Sequence, residues 1–355
     1  VCNTSYLQTD WYIDQMKRKV YQSDPLPISL TREQCLEGKR ARIYLLDQIK
    51  DPIDIKQAIA FVASDDPRTK TIPGYDESID FIPGKNLLLP IDTANVLRYQ
   101  VIPRSLAKLM DTAIIVRLKS NSITKSQLVM LDIIANNAWK RPIYFASPYP
   151  EGTCWLDEYL QLDGYAYRLV PIRTPYDSPL ECGRINTDTL YHNLMEKFDY
   201  RQMNEPRVYI DNFHARTLSV VRFRNNFVRL AQALWAEHKM DSALKVLDRC
   251  ITLLPFSKVE HDYNSILIAR VYLECAAKDK AVQILQDFGN QVKQYLTYFS
   301  SLDNNQRSMS GYDINSNLYY LQQIASLCNE FKLGDVAGIQ SLLLQYQLLE
   351  DNRNP

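Results

Sequence analysis

The fold of the second half of this chain is decided by residues 224–255, which read RNNFVRLAQALWAEHKMDSALKVLDRCITLLP. Apolar and small residues recur there at the spacing of two amphipathic helices, with a turn around His238. Small side chains at Ala231 and Ala243 allow the two helices to approach closely, and Pro255 ends the second helix. The stretch therefore predicts a helical hairpin. The positions that carry the pattern are Phe227, Leu230, Ala231, Leu234, Ala243, Leu247, Cys250 and Pro255.

The same pattern recurs further along the chain, at the spacing of the tetratricopeptide unit. One copy is displaced by 38 residues, and a weaker one follows a polar insertion at residues 302–313. Because one hairpin cannot bury its apolar face alone, such units stack on each other. We therefore expect residues 206–355 to form an all-α, tetratricopeptide-like domain that either offers a groove to a partner or only caps the first half. The recurring positions are Ile268, Ala269, Tyr272, Ala281, Leu285 and Phe288, then Leu321, Ile324, Ala325, Cys328 and Ala337.

Three arginines, Arg222, Arg224 and Arg229, form a basic stretch on the first helix of this half. Such a run is usually a solvated helix face. Contact with an anionic lipid or glycan is the alternative.

Residues 1–205 alternate between strand-like and helix-like segments, which predicts an α/β domain with a mixed or mostly parallel sheet. Its clearest unit is a helix at residues 123–138 between strands at 113–118 and 142–146, which predicts a right-handed crossover between parallel strands. The other expected strands are at residues 1–7, 26–30, 42–46, 79–82, 87–91 and 165–172, and the other expected helices are at 10–21 and 54–63.

Composition argues against several classes of function. Lys and Arg total 41 of the 355 residues and Asp and Glu also total 41, so the formal net charge is zero. A protein held on nucleic acid by phosphate contacts normally carries a basic excess, so we expect no nucleic-acid partner. The longest apolar runs fall far short of the roughly 20 residues that span a bilayer, so we expect no membrane span in this chain.

Motifs for bound cofactors and metals are also missing. Glycine occurs only 10 times, and the chain lacks the GxGxxG, GxxxxGK[ST] and GxSxG motifs, so we expect no nucleotide cofactor. None of the four histidines is paired at metal-ligand spacing and no CxxC pair exists, so we expect no metal site. The 23 tyrosines suit either the edges of the core or a sugar- or peptide-binding surface.

Two groupings combine carboxylates with aromatic rings and are the candidate binding sites. Asp10, Trp11 and Asp14 lie at the start of the first predicted helix. Helix capping and core packing explain this grouping equally well. The second grouping is Trp155 with Asp157 and Glu158, a carboxylate pair that would suit a sugar site.

Among the seven cysteines, Cys154 and Cys182 lie in loop-like sequence. These two could form a disulfide if the compartment is oxidising.

Four segments resemble one known family: TDWYIDQ at residues 9–15, PLPI at 25–28, KRPIYFA at 140–146 and the helical segment 224–255. Together they resemble the C-terminal soluble region of the multi-spanning Bacteroidetes proteins classed as domain of unknown function 2723, which are similar to membrane-embedded protein O-mannosyltransferases. The resemblance implies that the catalytic residues and the polyprenyl-phosphate sugar site lie in a preceding membrane part. No catalytic residue is therefore assigned to this chain. The chain opens at Val1 without an initiator methionine, and we expect it to be cut from a longer protein.

The sequence-based hypothesis is a periplasmic, non-catalytic domain of a glycosyltransferase-like protein of the bacterial inner membrane. Its expected partners are its own N-terminal transmembrane region and an acceptor protein or glycan. One alternative is a free-standing glycan-binding outer-membrane lipoprotein, although in that class the helical repeats come early. Another alternative is an α/β enzyme that uses Asp10, Asp14 or the pair Asp157 and Glu158.

Overall fold

The chain forms two compact units, Val1–Arg184 (unit 1) and Ile185–Pro355 (unit 2). The structure, a computed structural model, describes residues 2–20, 22–72, 77–215 and 220–344. Unit 1 combines small mixed sheets with helices, and the described part of unit 2 contains several packed helices. This is the fold class expected from the sequence.

The strands of unit 1 are short and fall into separate sheets. One sheet has the order β3-β1-β6, a second the order β2-β4-β5, and a third contains β8, β9 and β7 in antiparallel pairing. In each of the first two sheets, one pair of strands is parallel and the other antiparallel. The strands are β1 Arg42–Ile49, β2 Ile53–Asp54, β3 Phe81–Gly84, β4 Asn86–Pro90, β5 Ala113–Arg117, β6 Ser122–Thr124, β7 Tyr144–Phe145, β8 Leu160–Leu162 and β9 Tyr167–Leu169, with β10 Arg184–Ile185 at the unit boundary.

Four α-helices and several short 3₁₀ turns connect these strands. The α-helices are α1 Asp10–Met16, α2 Ile55–Ala63, α3 Thr93–Arg98 and α4 Lys125–Asn137. The 3₁₀ turns are Thr4–Gln8, Glu33–Cys35, Pro67–Thr69, Arg104–Leu109, Glu151–Thr153, Asp157–Tyr159 and Pro179–Glu181.

The predicted parallel crossover around α4 is wrong, although α4 itself is confirmed. Strand β5 pairs antiparallel with β4, and β7 pairs antiparallel with β9 in another sheet. The reason is strand β6, which pairs with β1 just before α4 begins. The chain has therefore left the sheet of β5 before it enters the helix.

Two further strand predictions are wrong because hydrogen bonds from the backbone to side chains replace strand pairing. The Asn3 side chain accepts a hydrogen bond from the Ser5 N–H and caps a 3₁₀ turn where residues 1–7 were expected to be extended. Residues 26–30 form no strand, because the N–H groups of Ser29 and Leu30 donate to the Asp132 carboxylate at 2.7 and 3.3 Å. Burial raises the pKa of that carboxyl group.

Helix α4 lies in the core of unit 1. Leu128, Val129, Leu131 and Ala135, which cover several sides of the helix, are all buried. A helix that is apolar on most sides belongs inside a domain rather than on its surface. Its start is defined by a capping box, in which Thr124 and Gln127 exchange hydrogen bonds with each other's backbone.

Two buried cationic side chains donate hydrogen bonds to the last carbonyl groups of α2. Arg40 donates to the carbonyl oxygens of Val62 and Ala63 at 2.9 and 2.5 Å, and the Lys70 ammonium donates to Val62 O at 2.7 Å. The last carbonyls of a helix lack intrahelical partners and carry partial negative charge, so cations stabilise them. Lys70 is also paired with Asp80 at 2.7 Å.

Unit 2 consists of helical hairpins at the predicted repeat. Helices α6 and α7 form one hairpin, α8 and α9 form the next, and α11 packs on α9. The small residues Ala231, Ala243, Ala269 and Ala281 are fully buried, as the close approach of paired helices requires. The helices are α5 Thr187–Tyr191, a π-helix His192–Lys197, α6 Val220–Ala236, α7 Met240–Leu253, α8 Tyr263–Glu274, α9 Lys278–Ser301, α10 Asn304–Met309 and α11 Gly311–Glu330, followed by a 3₁₀ turn Val336–Gly338.

One turn geometry recurs after the first helix of each copy. His238, Ala276 and Lys332 all have positive φ, at 60°, 60° and 52°. In each case the next residue donates its N–H to the carbonyl five positions earlier, as in Lys239 N to Leu234 O at 2.9 Å. This left-handed ending satisfies carbonyls that the helix leaves free. The 38-residue spacing of the first two turns confirms the predicted displacement.

The predicted solvated basic face is wrong for two of its three arginines. Arg224 is completely buried and Arg229 is nearly so. Arg224 is buried because it donates to carbonyls of the α7–α8 loop, which compensates its charge.

The boundary between unit 1 and unit 2 lies at 184/185, whereas the sequence pattern placed the domain boundary at 205/206. Residues before 205 belong to unit 2 because they contact its helices: Thr187 Oγ1 donates to Glu237 at 2.9 Å, and the Tyr200 ring lies 5.9 Å from that of Phe227.

Candidate functional site

In the first predicted site, that of Asp10, Trp11 and Asp14, the Trp11 ring lies beside those of Tyr6 and Tyr12. We call these three rings the aromatic cluster; Tyr6 and Trp11 are exposed, and Tyr12 is half-buried. The ring centroids of its three pairs are 5.6 to 6.0 Å apart. Tyr6 comes from the 3₁₀ turn Thr4–Gln8, and the other two rings come from α1. Half of the Tyr6 and Trp11 surface is exposed, at 51% and 55%. The capped turn at Asn3 therefore places Tyr6 beside the helix and presents open ring faces to solvent.

The carboxylates of this site are paired with arginines. Asp10 lies 4.0 Å from Arg32 Nε, and Asp14 forms an ion pair with Arg18 one helical turn away. Asp10 also lies in the first turn of α1, where a negative charge stabilises the helix. These contacts give both carboxylates a structural role, while Trp11 remains open.

The structure assigns separate roles to the three residues of the second predicted site. Asp157 is buried and accepts a hydrogen bond from the Tyr176 hydroxyl at 2.7 Å. Burial, and then this hydrogen bond, raise the pKa of Tyr176. Glu158 accepts a hydrogen bond from Arg173 Nε at 2.6 Å. Trp155 packs against the core of unit 1. The two carboxylates therefore serve different partners and do not form a shared acid–base pair.

Cys154 and Cys182 are both free thiols, so the disulfide considered from the sequence is not formed. The Cys154 Sγ contacts the carbonyl oxygen of Gln127 at 3.8 Å, and the Cys182 Sγ contacts that of Asp157 at 3.6 Å. Burial raises the pKa of Cys154 to about 12, so its thiol stays protonated at neutral pH. Within the part of the chain that the structure describes, no group of three His, Cys, Asp or Glu side chains could hold a metal ion.

Unit 2 contains a cavity of about 580 Å³, which the sequence did not predict. Its walls come from residues 210–215, the α7–α8 loop, the second half of α9 and the first half of α11. Its aromatic lining consists of His261, Tyr295, Phe299, Tyr312 and Tyr320. This volume is within the range of small-molecule sites, which span about 300–1,000 Å³.

Arg224 holds the wall of the cavity that the α7–α8 loop forms. It donates to the carbonyl oxygens of Leu254, Val259 and Glu260 at 3.0, 2.5 and 2.8 Å, and to the Asp262 carboxylate at 3.0 Å. Asp262 in turn caps the start of α8. One buried guanidinium therefore fixes the loop and the helix that follows it.

His261 and Gln291 connect this wall to α9. The backbone N–H of His261 donates to Gln291 Oε1 at 3.0 Å, and Gln291 Nε2 donates to the backbone carbonyl of His261 at 3.1 Å. The imidazole is stacked between Phe256 and Phe288, with centroids 3.9 and 5.3 Å away. Burial, together with the Arg224 charge, lowers the pKa of His261 to about 4. The ring is therefore neutral at physiological pH.

The family match covers unit 1 and ends shortly after it. The pattern of TMEM260-associated domain 2 matches residues 1–189, which is more than half of the chain. The chain belongs to the TMEM260-associated domain 2 family. No curated protein and no solved structure matches the chain significantly.

The TMEM260-associated domain 2 segment contains every site residue predicted from the sequence. The aromatic cluster, the pair Asp157 and Glu158, and both loop cysteines lie within residues 1–189, whereas the cavity lies outside them. The family name states an association and no activity, so the resemblance to domain of unknown function 2723 stays a prediction. In the described ranges, no helix combines the length and apolar character that a membrane crossing requires.

The cavity residues were missed because no single motif contains them. One signal was available: five of the 23 tyrosines lie between residues 295 and 320. They belong to the end of α9 and to α11, and three of them, Tyr295, Tyr312 and Tyr320, line the cavity. A local excess of tyrosine near the polar insertion could therefore have indicated the site.

Proposed function

We propose that this chain is a periplasmic, non-catalytic part of a glycosyltransferase-like protein of the bacterial inner membrane. Its role is to bind the acceptor protein or glycan for the membrane-embedded transferase. The donor site and the catalytic carboxylates belong to the transmembrane region of the parent protein.

One observation carries the proposal: the four candidate carboxylates are engaged in structural contacts, whereas Tyr6 and Trp11, next to Asp10 and Asp14, are exposed. Asp10, Asp14 and Glu158 each face an arginine, and Asp157 accepts from a tyrosine. A pair of acids for glycosyl transfer needs one carboxyl group free to donate a proton and another free to act as a base or nucleophile. This arrangement favours binding over the enzyme alternative.

The aromatic cluster suits an acceptor because its rings combine apolar faces with polar edges. Tyrosine and tryptophan are enriched where proteins bind other proteins, and their faces also stack on the C–H groups of sugars. The family match covers the part of the chain that contains the aromatic cluster. The four sequence segments that resemble the O-mannosyltransferase-like proteins support the transferase context.

The proposal can be tested in the full-length parent protein in native membranes. We would replace Tyr6 and Trp11 together by alanine and measure transfer of a labelled sugar from the lipid-linked donor to periplasmic acceptor protein. We expect the KM for the acceptor to rise about tenfold while kcat is unchanged, because only binding energy is removed.

The matched control is Tyr99→Ala, which removes a half-exposed aromatic ring of unit 1 outside the cluster. It should leave the acceptor KM unchanged. Sugar transfer by the 355-residue chain alone, with a lipid-linked or nucleotide sugar, would overturn the proposal. So would equal KM values for the double variant and the control.

A further inference from the structure

The cavity of unit 2 is lined by aromatic rings that remain accessible. Tyr312 is 84% exposed at the start of α11, and Tyr295 and Tyr320 line the cavity as well. The Tyr295 hydroxyl is oriented by a hydrogen bond to Glu260 at 2.7 Å. The Tyr295 ring, held in this way, can pack against a ligand's C–H groups without a large loss of side-chain entropy.

The charges around the cavity disfavour an anionic ligand. Among the lining residues that the structure describes, three carry a carboxylate (Glu260, Asp262 and Asp313) and one, Lys258, carries an ammonium group. That ammonium already donates to the carbonyl oxygens of Glu205 and Val208. The Arg224 guanidinium, fully buried behind the wall, is directed to Asp262 and to carbonyls. A phosphate or a carboxylate would therefore meet an excess of negative charge.

The open polar groups of the cavity are acceptors suited to hydroxyl donors. Among the described residues, the Asp313 carboxylate has no hydrogen-bond or ion-pair partner, and only its backbone carbonyl is engaged, by Asn317. The amide of Gln291, in contrast, is committed to the backbone of His261. A free carboxylate accepts two hydroxyl donors at once, as a vicinal diol provides, whereas a peptide backbone offers one N–H per residue.

We propose that the cavity of unit 2 binds a neutral oligosaccharide. Its pyranose C–H faces pack against Tyr312 and Tyr295, and its hydroxyl groups donate to Asp313, with the amide of Asn212 as a further partner. The volume of about 580 Å³ accommodates a short oligosaccharide rather than a folded partner. This inference goes beyond the proposed function, because it concerns a second site in the other unit.

Equilibrium binding to the 355-residue chain tests the inference directly. Titration calorimetry would use mannotriose, triacetylchitotriose and maltotriose as neutral probes, with trigalacturonate and a lysine-rich peptide for comparison. We expect at least one neutral probe to bind. Tyr312→Ala and Asp313→Asn should each weaken its binding about tenfold, since each removes a ligand contact from an exposed residue.

Matched controls separate the cavity from the rest of the surface. Tyr298→Ala removes another exposed tyrosine, and Asp241→Asn removes another exposed acid in the first turn of a helix; neither residue lines the cavity. Both should bind the sugar as the parent chain does. Trp11→Ala should also bind it normally, so failure of the proposed function remains distinguishable from failure here.

Three results would overturn the inference: no binding of any neutral probe, equal affinity of the cavity variants and the parent, or tighter binding of trigalacturonate or of the peptide. The last result would identify the cavity as an anion or peptide site instead.

Discussion

Arg224 is the residue on which the cavity wall depends. Its guanidinium donates hydrogen bonds to three backbone carbonyls and one carboxylate. Its Cζ atom lies over the Phe256 ring, 4.4 Å from the ring centroid. Phe256 also stacks on His261, so a single cation orients two aromatic side chains and the α7–α8 loop. A buried charge in this position is stable only because its hydrogen-bond partners are supplied by fixed backbone.

His261 makes the stability of unit 2 depend on pH. Its pKa is lowered from 6.5 to about 4 in the folded state, chiefly by burial and then by the positive charge of Arg224. The negative charge of Asp287 raises the pKa and so opposes this shift in part. Below pH 6.5 the unfolded chain therefore binds a proton that the folded chain does not bind until about pH 4, so folding stability falls as the pH is lowered through this window. We expect a loss of about 2 kcal/mol between pH 7 and pH 5.

Urea unfolding followed by far-ultraviolet circular dichroism at several pH values checks this expectation. His261→Asn should remove this contribution of about 2 kcal/mol to the dependence between pH 7 and pH 5, whatever it does to absolute stability. His238→Asn is the control: His238 is exposed, and asparagine also adopts its positive φ of 60°, so the dependence should stay intact. An unchanged slope in the His261 variant would contradict the assignment.

At the scale of elements, the approach of the turn Val336–Gly338 to α9 depends on Gly289. A Cβ atom at this position would lie 2.7 Å from Ile339 Cδ1 and 3.1 Å from Ala337 Cβ. Ile339 is buried, so its side chain has little space in which to move. The third copy of the helical pattern thus packs on the second through a position without a side chain.

Gly289→Val should loosen this contact and destabilise unit 2 by about 1–3 kcal/mol, because overpacking outweighs the gain in helix propensity. Hydrogen exchange should become faster in residues 336–340, and the urea midpoint should fall. Gly311→Ala is the control, since nothing lies within 4 Å of a Cβ atom there. A Gly289→Val protein as stable as this control would show that the close approach is not needed.

At the scale of the whole molecule, the chain consists of two units, each of which contains many buried apolar residues. The core of unit 1 is centred on α4, and that of unit 2 runs along α6 to α11. Leu190, Leu194 and Tyr200 precede α6 in the sequence and are buried. The folded unit therefore begins well before the repeat pattern does.

Fragments test this division. Residues 1–184 and 185–355 should each unfold cooperatively and give a dispersed NMR spectrum. A fragment of residues 206–355 should be less stable than 185–355 by about 3 kcal/mol or more, because it loses the burial of Leu190, Leu194 and Tyr200. Equal stability of the two fragments would place the boundary where the sequence pattern did.

The fold of unit 2 was more predictable than that of unit 1. The turn at His238 and the small residues Ala231 and Ala243 belong to interactions between neighbouring helices, so a sequence window of about 34 residues contains their cause. In unit 1, strand β6 pairs with a strand about 80 positions earlier, and Asp132 accepts hydrogen bonds from a segment about 100 positions earlier. A local sequence pattern does not indicate contacts between segments so far apart. The predictions of the crossover and of the strand at 26–30 were wrong for this reason.

The sequence alone was sufficient to predict the fold class and the helical hairpin repeat, because both depend on residues that are close together in the sequence. For the same reason it placed Trp11 next to Asp10 and Asp14. The burial and the partners of charged side chains were set only by tertiary packing. Arg224 was expected to be exposed and is buried. Asp157 and Glu158 are adjacent in the sequence but contact different partners. The cavity, too, exists only in three dimensions, since its walls run from Ile210 to Tyr320. The physical reason is common to all of these: a side chain's environment is set by whatever segment folds against it, and that segment is chosen by the burial of the entire core.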